Sequence, residues 1–178
     1  KTYCFFGNGA DFFACGVLNA EQTGLEVTAF TTDYMFRAGE TALRIKFVSP
    51  LPPDDLTLTA MPVCYMEYEI EGDKDAELSL FVSRDVASNA CNQERGVRGG
   101  VIKCEGFESA FFGLRKQQPL SNNGDLIGAD WGYWYLSGEE SFVLDETDLS
   151  AYLAGGSKQF TNTKEERYLG TFNYAQKG

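Results

Sequence analysis

Paired carboxylates are the main candidates for acid–base chemistry in this sequence, because its 178 residues contain no histidine. The missing imidazole excludes Ser-His-Asp and Cys-His nucleophile systems and metal sites ligated by histidine. Acidic pairs stand at Asp54–Asp55, at Asp125 and Asp130, and at Glu139–Glu140. A glycosidase needs two carboxyl groups roughly 5–10 Å apart, in a cleft that shifts one pKa. Acids that are adjacent in loops more often cap turns and helices, so we expect these to be structural.

A calcium site is the second candidate. Asn122, Asn123 and Asp125 lie beside Gly124 and offer the oxygen ligands that Ca²⁺ prefers. Their spacing is not that of an EF-hand loop, and turn formation explains the same residues. Glycine pairs such as Gly99–Gly100 lack the patterns of nucleotide-binding loops. The sequence therefore predicts no metal and no cofactor.

Aromatic residues form the third candidate. On a strand, alternation would place Trp131, Tyr133 and Tyr135 on one face and Trp134 on the other. Rings with polar tips stack on sugars or on protein partners, but they also fill sandwich cores. We favour packing, in the core or against a neighbouring domain. The predicted interface residues are Asp130, Trp131, Tyr133 and Trp134.

Period-two patterns predict the strands that would position these residues. Leu43, Ile45 and Phe47 alternate with charged Arg44 and Lys46. Similar runs occur at residues 24–31, 34–37, 63–70, 76–83, 99–104, 109–114, 131–136, 141–144 and 167–172. Their spacing is typical of a sandwich rather than of βαβ units. We predict an all-β, antiparallel two-sheet β-sandwich with at most one short helix, near residues 146–153.

Connections and cysteines give three more specific expectations. The polar turn at residues 71–75 predicts a hairpin between the strands on either side. The proline-rich segment 49–56 cannot be a central strand, and we expect it to cross from one sheet to the other. Cys64 lies in an apolar run, which predicts a small core residue.

Composition limits the partners and gives an expectation for location. With 26 acidic and 15 basic residues the net charge is −11, which disfavours nucleic acids and anionic membrane surfaces. No apolar run is long enough to span a membrane as a helix. The five cysteines are irregularly spaced, and the free thiols lean towards a reducing, cytoplasmic compartment, with a Cys4–Cys15 disulfide left open. We expect any signal peptide to lie outside this segment.

Two long motifs resemble a known family. The first is MFRAGETALRIKFVSPLPPDDLTLTAMPVCYMEYEIEGDKDAELSLFVSRDVA, and the second is LRKQQPLSNNGDLIGADWGYWYLS. Both resemble the N-terminal β domain of the glutaminase A family, in which a Q-x-P-L segment is followed by D-W-G-Y. Together the motifs cover roughly residues 25–140, and the two ends of the chain match less clearly.

The resemblance implies an accessory role. It implies that residues 1–178 form one supersandwich-like β domain, cut from a multidomain protein, that packs against a downstream helical toroid holding the active site. No residue of this chain would then be catalytic. The alternative function is a carbohydrate-binding module, and the third is a carboxylate-dependent glycosidase. Fold-level analogy alone does not establish the parent's substrate.

Overall fold

The computed structural model describes residues 1–7, 14–72, 76–86, 96–119, 131–156, 158 and 168–174. Strands dominate these ranges. They are β1 (Tyr3–Cys4), β2 (Leu18–Asn19), β3 (Glu21–Val27), β4 (Thr31–Ala38), β5 (Thr41–Val48), β6 (Tyr65–Glu71), β7 (Glu77–Ser83), β8 (Val97–Cys104), β9 (Phe107–Leu114), β10 (Trp134–Gly138), β11 (Glu140–Leu144) and β12 (Tyr168–Tyr174). The α-helices among them are α1 (Leu56–Thr59) and α2 (Glu146–Leu153). Neither helix has the length and apolar character needed to span a membrane.

The chain divides into two compact units. The first holds β1 to β6 with α1, and the second holds β7 to β12 with α2. The prediction that residues 1–178 form a single domain is not tested by this division and stays a prediction.

The first unit is built on an antiparallel sheet in the order β3-β4-β5-β6. Alternating side chains give this sheet one apolar face, on which Ile45 is fully buried. The ring of Phe6 covers that face, 4.9 Å from the Tyr34 ring and 5.3 Å from the Phe36 ring in edge-to-face contacts. The N-terminal phenylalanines therefore act as core residues of this unit.

The other face of this sheet carries a charge network. Asp33 is buried and accepts hydrogen bonds from Nε of Arg44 at 3.0 Å and from Nη2 at 2.5 Å. These hydrogen bonds, together with the nearby positive charge, lower the pKa of the Asp33 carboxyl. Lys46 stands between Asp33 and Glu67 in the ladder, with its Nζ 3.6 Å from Glu67. The predicted separation of apolar and charged side chains along β5 is confirmed.

The second unit packs two antiparallel sheets, β10-β9-β8 and β11-β12-β7. The core between them centres on Ala110 and Phe112 of β9, which are fully buried. Both sheets supply the partly buried side chains around this pair, Val82 and Val143 from one sheet and Val97 and Leu136 from the other. The predicted all-β antiparallel sandwich is confirmed.

Side-chain caps explain where the two helices begin. The Asp145 carboxylate accepts a hydrogen bond from the backbone N–H of Asp148 at 2.8 Å, and Gly155 at φ +90° follows the end of α2. The predicted bounds of this helix are confirmed. Helix α1 is one further turn, in which Asp55 accepts from the backbone N–H of Leu58 at 2.9 Å. The structural role expected for Asp55 is therefore confirmed.

Both predicted connections are wrong. Strand β6 pairs with β5 and β7 pairs with β12, so β6 and β7 form no hairpin. The polar sequence between them gave a local signal only, whereas the partner of β7, which is β12, comes from the far end of the chain. The proline-rich segment does not cross between sheets, because the strands that it joins, β5 and β6, are neighbours in one sheet.

Cys64 is not a core residue. It precedes β6, in which every second side chain is partly buried, and its thiol is exposed. Cys4, Cys15 and Cys104 are free thiols as well, and Cys91 lies outside the described residues.

Ile45→Ala should destabilise the first unit by about 2–5 kcal/mol, because it removes a fully buried side chain and leaves a cavity. Val27→Ala is the matched control, since Val27 lies on β3 of the same sheet and is 68% exposed. We expect it to change the free energy of unfolding by less than about 1 kcal/mol. Urea denaturation of both variants provides the measurement. Equal losses would contradict this placement of the core.

Candidate interaction surface

The predicted interface residues lie around the start of β10. Asp130 is outside the described residues. Trp131 and Tyr133 precede the strand and Trp134 opens it. All three have exposed side chains, with 53% of Trp131 and 48% of Trp134 accessible. All three lie within four residues of sequence. Their cross-strand neighbours show which of them share a face of the sheet.

The ladder between β9 and β10 separates the aromatic side chains as predicted. Trp134 stands opposite Phe112, and Tyr135 stands opposite Phe111. Phe112 is the centre of the sandwich core, so Trp134 is on the core-facing side of the sheet, at the edge strand. Tyr135 is therefore on the outer face.

A compact cluster occupies this outer face, and we call it the ring cluster: Phe111, Tyr133, Tyr135 and Arg98. The Phe111 ring centroid lies 5.8 Å from that of Tyr133 and 6.0 Å from that of Tyr135. The two tyrosine rings are 6.4 Å apart with an interplanar angle of 60°. The predicted common face of Tyr133 and Tyr135 is confirmed, whereas Trp131 makes no ring contact within the described part of the chain.

Arg98 of β8 joins the rings through its guanidinium. Its Cζ lies 5.4 Å from the Tyr133 ring centroid and 5.9 Å from that of Phe111. Both distances are within the range of cation–π attraction, which is strongest for partly desolvated arginines. The two rings therefore restrict where the charged group can lie.

Glycines make room for these rings. Gly100 stands opposite Phe111, and a Cβ atom there would lie 3.1 Å from the Phe111 ring. Gly113 stands opposite Arg98, and a Cβ atom there would overlap the Tyr133 ring. A strand glycine often marks such a close approach. The position of each ring thus depends on bare backbone beneath it.

Gln117 fixes the turn that delivers Tyr133. Its Oε1 accepts a hydrogen bond from the backbone N–H of Gly132 at 2.6 Å, and its Nε2 donates to the Leu114 carbonyl at 2.6 Å. Gly132 has φ +85°, a conformation that favours glycine. The Q-x-P-L and D-W-G-Y segments are therefore joined through this side chain.

Apolar side chains extend the ring cluster along the outer face. Ile102 of β8 and Phe107 of β9 are 43% and 49% exposed, and Tyr135 is 56% exposed. Ser109 and Ser137 pair through their hydroxyls at 2.8 Å, which satisfies the polar groups between them. A sheet face of this kind is suited to covering by another surface.

Known proteins that resemble this chain in sequence identify its family. A family model described as a domain of unknown function, DUF5127, matches residues 31–170, which include every strand of the ring cluster. The chain belongs to this family. It is also similar to Glutaminase A of Aspergillus oryzae (strain ATCC 42149 / RIB 40), with 24% identity over 139 residues. That match covers 75% of this chain and 19% of the relative's length. No solved structure matches the chain.

The predicted resemblance to the glutaminase A family is therefore confirmed. Within this DUF5127 domain, the sequence patterns placed Tyr133 and Tyr135 on one face, although only Tyr133 was among the predicted interface residues. They missed Arg98, Gly113 and Gln117. Gln117 could have been found, because it belongs to the Q-x-P-L segment that precedes D-W-G-Y. Arg98 gave no signal in the sequence, because only the strand register brings it to Tyr133.

The carboxylates predicted as candidates for acid–base chemistry or calcium binding do not lie in the ring cluster. Asp55 caps α1, while Asn122, Asn123, Asp125 and Asp130 lie outside the described residues. Glu139 links β10 to β11, and Glu140 is the first residue of β11. Among the described residues, no group of three or more cysteine, aspartate or glutamate side chains could hold a metal ion.

A polar cluster anchors α2 in the second unit. Glu77 accepts hydrogen bonds from Ser79 at 3.0 Å and from the Tyr152 hydroxyl, and it lies 2.5 Å from Lys158. Burial alone would raise the pKa of Glu77, but hydrogen bonds from Lys158, Tyr152 and Ser79 outweigh it, and the pKa is lowered. Burial and the Glu77 carboxylate raise the pKa of Tyr152 to about 12. Neither group is tuned for proton transfer near neutral pH.

An exposed apolar segment marks the first unit of the domain. The connection between β5 and β6 is held by its own hydrogen bonds, including one from the Thr59 hydroxyl to the Pro52 carbonyl at 2.7 Å. Large apolar side chains along it are nevertheless exposed, at Leu51, Leu56, Met61 and Val63. The first half of this segment is the S-P-x-x-P-D-D-L part of the first motif. Its exposed apolar side chains are not explained by the predicted crossing between sheets, which does not occur.

The anchor predicts a loss of stability at alkaline pH. Folding raises the pKa of Tyr152 from 10.0 to about 12 and so favours its protonated form. Its contribution is therefore complete below pH 10 and should be lost as the pH rises from about 10 to 12. In ultraviolet titrations, the component that Tyr152→Phe removes from the wild-type curve should be the one centred near 12. A missing component centred near 10 would contradict the buried hydrogen bond to Glu77.

Proposed function

We propose that this DUF5127 domain is a non-catalytic accessory domain of a glutaminase-like hydrolase. In this proposal it packs against a downstream helical catalytic domain of the same polypeptide. Two observations support the proposal. The relative named Glutaminase A matches this chain over only 19% of its length, so most of that protein lies outside the match. The chain also has no histidine, and several of its described acids serve in caps, ion pairs and the α2 anchor, among them Asp55, Asp33 and Glu77.

The ring cluster is the observation that carries the docking role. Tyr133 and Tyr135 are 36% and 56% exposed on a sheet whose other face already forms the sandwich core. In an antiparallel sheet with one wet face, polar residues are expected on that face. Aromatic residues and arginine are instead typical of the centres of protein interfaces. The outer face is therefore suited to burial against a second domain.

A carbohydrate-binding module is the second candidate function, and the half-exposed rings of Trp131 and Trp134 favour it. Stacking on a glycan chain is best served by ring faces that are open and nearly coplanar. Tyr133 and Tyr135 instead contact each other at 60° and share Phe111. This geometry favours a protein surface over a chain of sugar rings.

Ammonia release from glutamine tests the enzymatic part of the proposal. We expect the longer polypeptide that contains this domain to hydrolyse glutamine, whereas the 178-residue chain assayed beside it should be inactive. Activity of the chain alone would contradict the accessory role. Inactivity of both would contradict the substrate, and a glycan-binding screen of the chain would then test the second candidate.

Docking through the ring cluster predicts a loss of stabilisation by the neighbouring domain. We define docking stabilisation as the free energy of unfolding of the β domain in the longer polypeptide minus that of the 178-residue chain alone. The double variant Tyr133→Ala, Tyr135→Ala should reduce it by about 2–4 kcal/mol, as truncation of central interface aromatics does. Denaturation monitored by hydrogen exchange in the core strand β9 provides both free energies.

Tyr65→Ala is the control for that experiment. Tyr65 is 55% exposed, almost the same as Tyr135, but it lies on β6 in the first unit. The control should leave docking stabilisation unchanged. If the double variant behaves like the control, docking does not use the ring cluster.

A further inference from the structure

Arg98 is the charged member of the ring cluster, and no described residue uses its hydrogen-bonding groups. A guanidinium carries five N–H donors in a planar fork. Among the described residues, no carboxylate lies within ion-pair distance of Arg98, and no acceptor takes a hydrogen bond from its side chain. Arg44 and Lys103, by contrast, each pair with a carboxylate. Arg98 is exposed and keeps its donors for solvent or for a partner.

Charge is distributed unevenly over the sheet β10-β9-β8. Lys103 and Glu108 are direct cross-strand neighbours on the core-facing side, and they neutralise each other with Nζ and Oε1 2.7 Å apart. On the outer face, alternation of the described residues of β8, β9 and β10 leaves Arg98 as the sole charged side chain. Arg115, just after β9, lies on the same face over Gly96, but its Nε donates to the Val97 carbonyl. A protein with a net charge of −11 therefore presents the Arg98 guanidinium beside an apolar surface.

The surrounding rings hold this positive group in place. Arg98 stands opposite Gly113, so no side chain of β9 separates its stem from the Tyr133 ring that lies over that glycine. Arginine stacks on aromatic faces and still offers its planar edge for bidentate contacts with carboxylates. Less freedom is then lost when a partner binds, because the guanidinium is already restrained. A solvated surface arginine would not require two glycines and two rings to position it.

We infer that Arg98 is the receptor for one carboxylate of the docking partner, an aspartate or glutamate side chain flanked by apolar residues that cover the rings. This inference rests on the proposed docking function and adds the chemistry that the partner must bring to the ring cluster. Charge complementarity selects an acidic group, and the exposed rings select an apolar surround. Burial of the pair between the domains would strengthen the interaction compared with an exposed ion pair.

The salt dependence of docking stabilisation tests this inference. Free energies of unfolding are measured for the longer polypeptide and for the 178-residue chain, in wild type, Arg98→Gln and Lys103→Gln, from about 0.05 to 0.5 M salt. Measurement of the chain alone removes any effect of a substitution on the folding of the domain itself. Lys103→Gln is the matched control, because it removes one positive charge from the opposite face of the same strand.

We expect Arg98→Gln to lower the equilibrium constant for docking roughly tenfold or more at low salt and to remove most of its salt dependence. Lys103→Gln should behave like wild type. Docking that is present but unaffected by Arg98→Gln would overturn the carboxylate receptor and leave the docking proposal standing. An absence of docking stabilisation in the wild type would overturn the proposed function itself. Binding of a polyuronate by the chain alone, lost in Arg98→Gln, would overturn the protein partner in favour of an acidic polysaccharide.

Discussion

Bare backbone opposite a large ring is the constraint on which both faces of the β8–β9 pair depend. Gly99 stands opposite Phe112, and a Cβ atom there would lie 2.8 Å from that ring. Gly100 stands opposite Phe111 in the same way, one residue further and therefore on the other face. A glycine paired with an aromatic residue lets the ring shield the exposed peptide backbone. The core of the second unit and the ring cluster are thus two sides of one feature of the strand register.

Strand β9 departs from the pattern of a sheet with one wet face. Ala110 and Phe112 fill the core, but Phe111 on the other side is an aromatic residue where a polar one would be expected. Strands that are apolar on both sides are usually covered on both sides. The β-sheet of the first unit makes the contrast plain, because its outer face carries Asp33, Arg44 and Lys46. Apolar residues on the outer face of β9 are therefore not explained by the core that the described residues form.

Local patterns in the sequence were sufficient for most of the fold. Alternation located most of the strands, although not β1 and β2. The cap at Asp145 with the stop at Gly155 located α2, since these signals act over a few residues. Long-range pairing left no such signal, so the partner of β7 was predicted wrongly. For the candidate site, alternation alone grouped Tyr133 with Tyr135. It could not supply Arg98, because the distance from β8 to the turn before β10 depends on the register of two ladders.

The glycines of this sheet fall into two groups, those that make room for core rings and those that make room for rings on the outer face. A glycine within a strand destabilises it by roughly 0.5–1 kcal/mol relative to alanine. Gly99 offsets that loss by admitting Phe112 to the core. Gly100 and Gly113 admit rings of the outer face, and Gly113 also admits the Gly132 carbonyl beside Tyr133, where no core is formed within the described chain. Departures from local preference without a gain in folding are expected at functional sites. The two glycines are therefore best explained by the surface that they shape, with the Tyr133 ring and the Arg98 guanidinium held side by side.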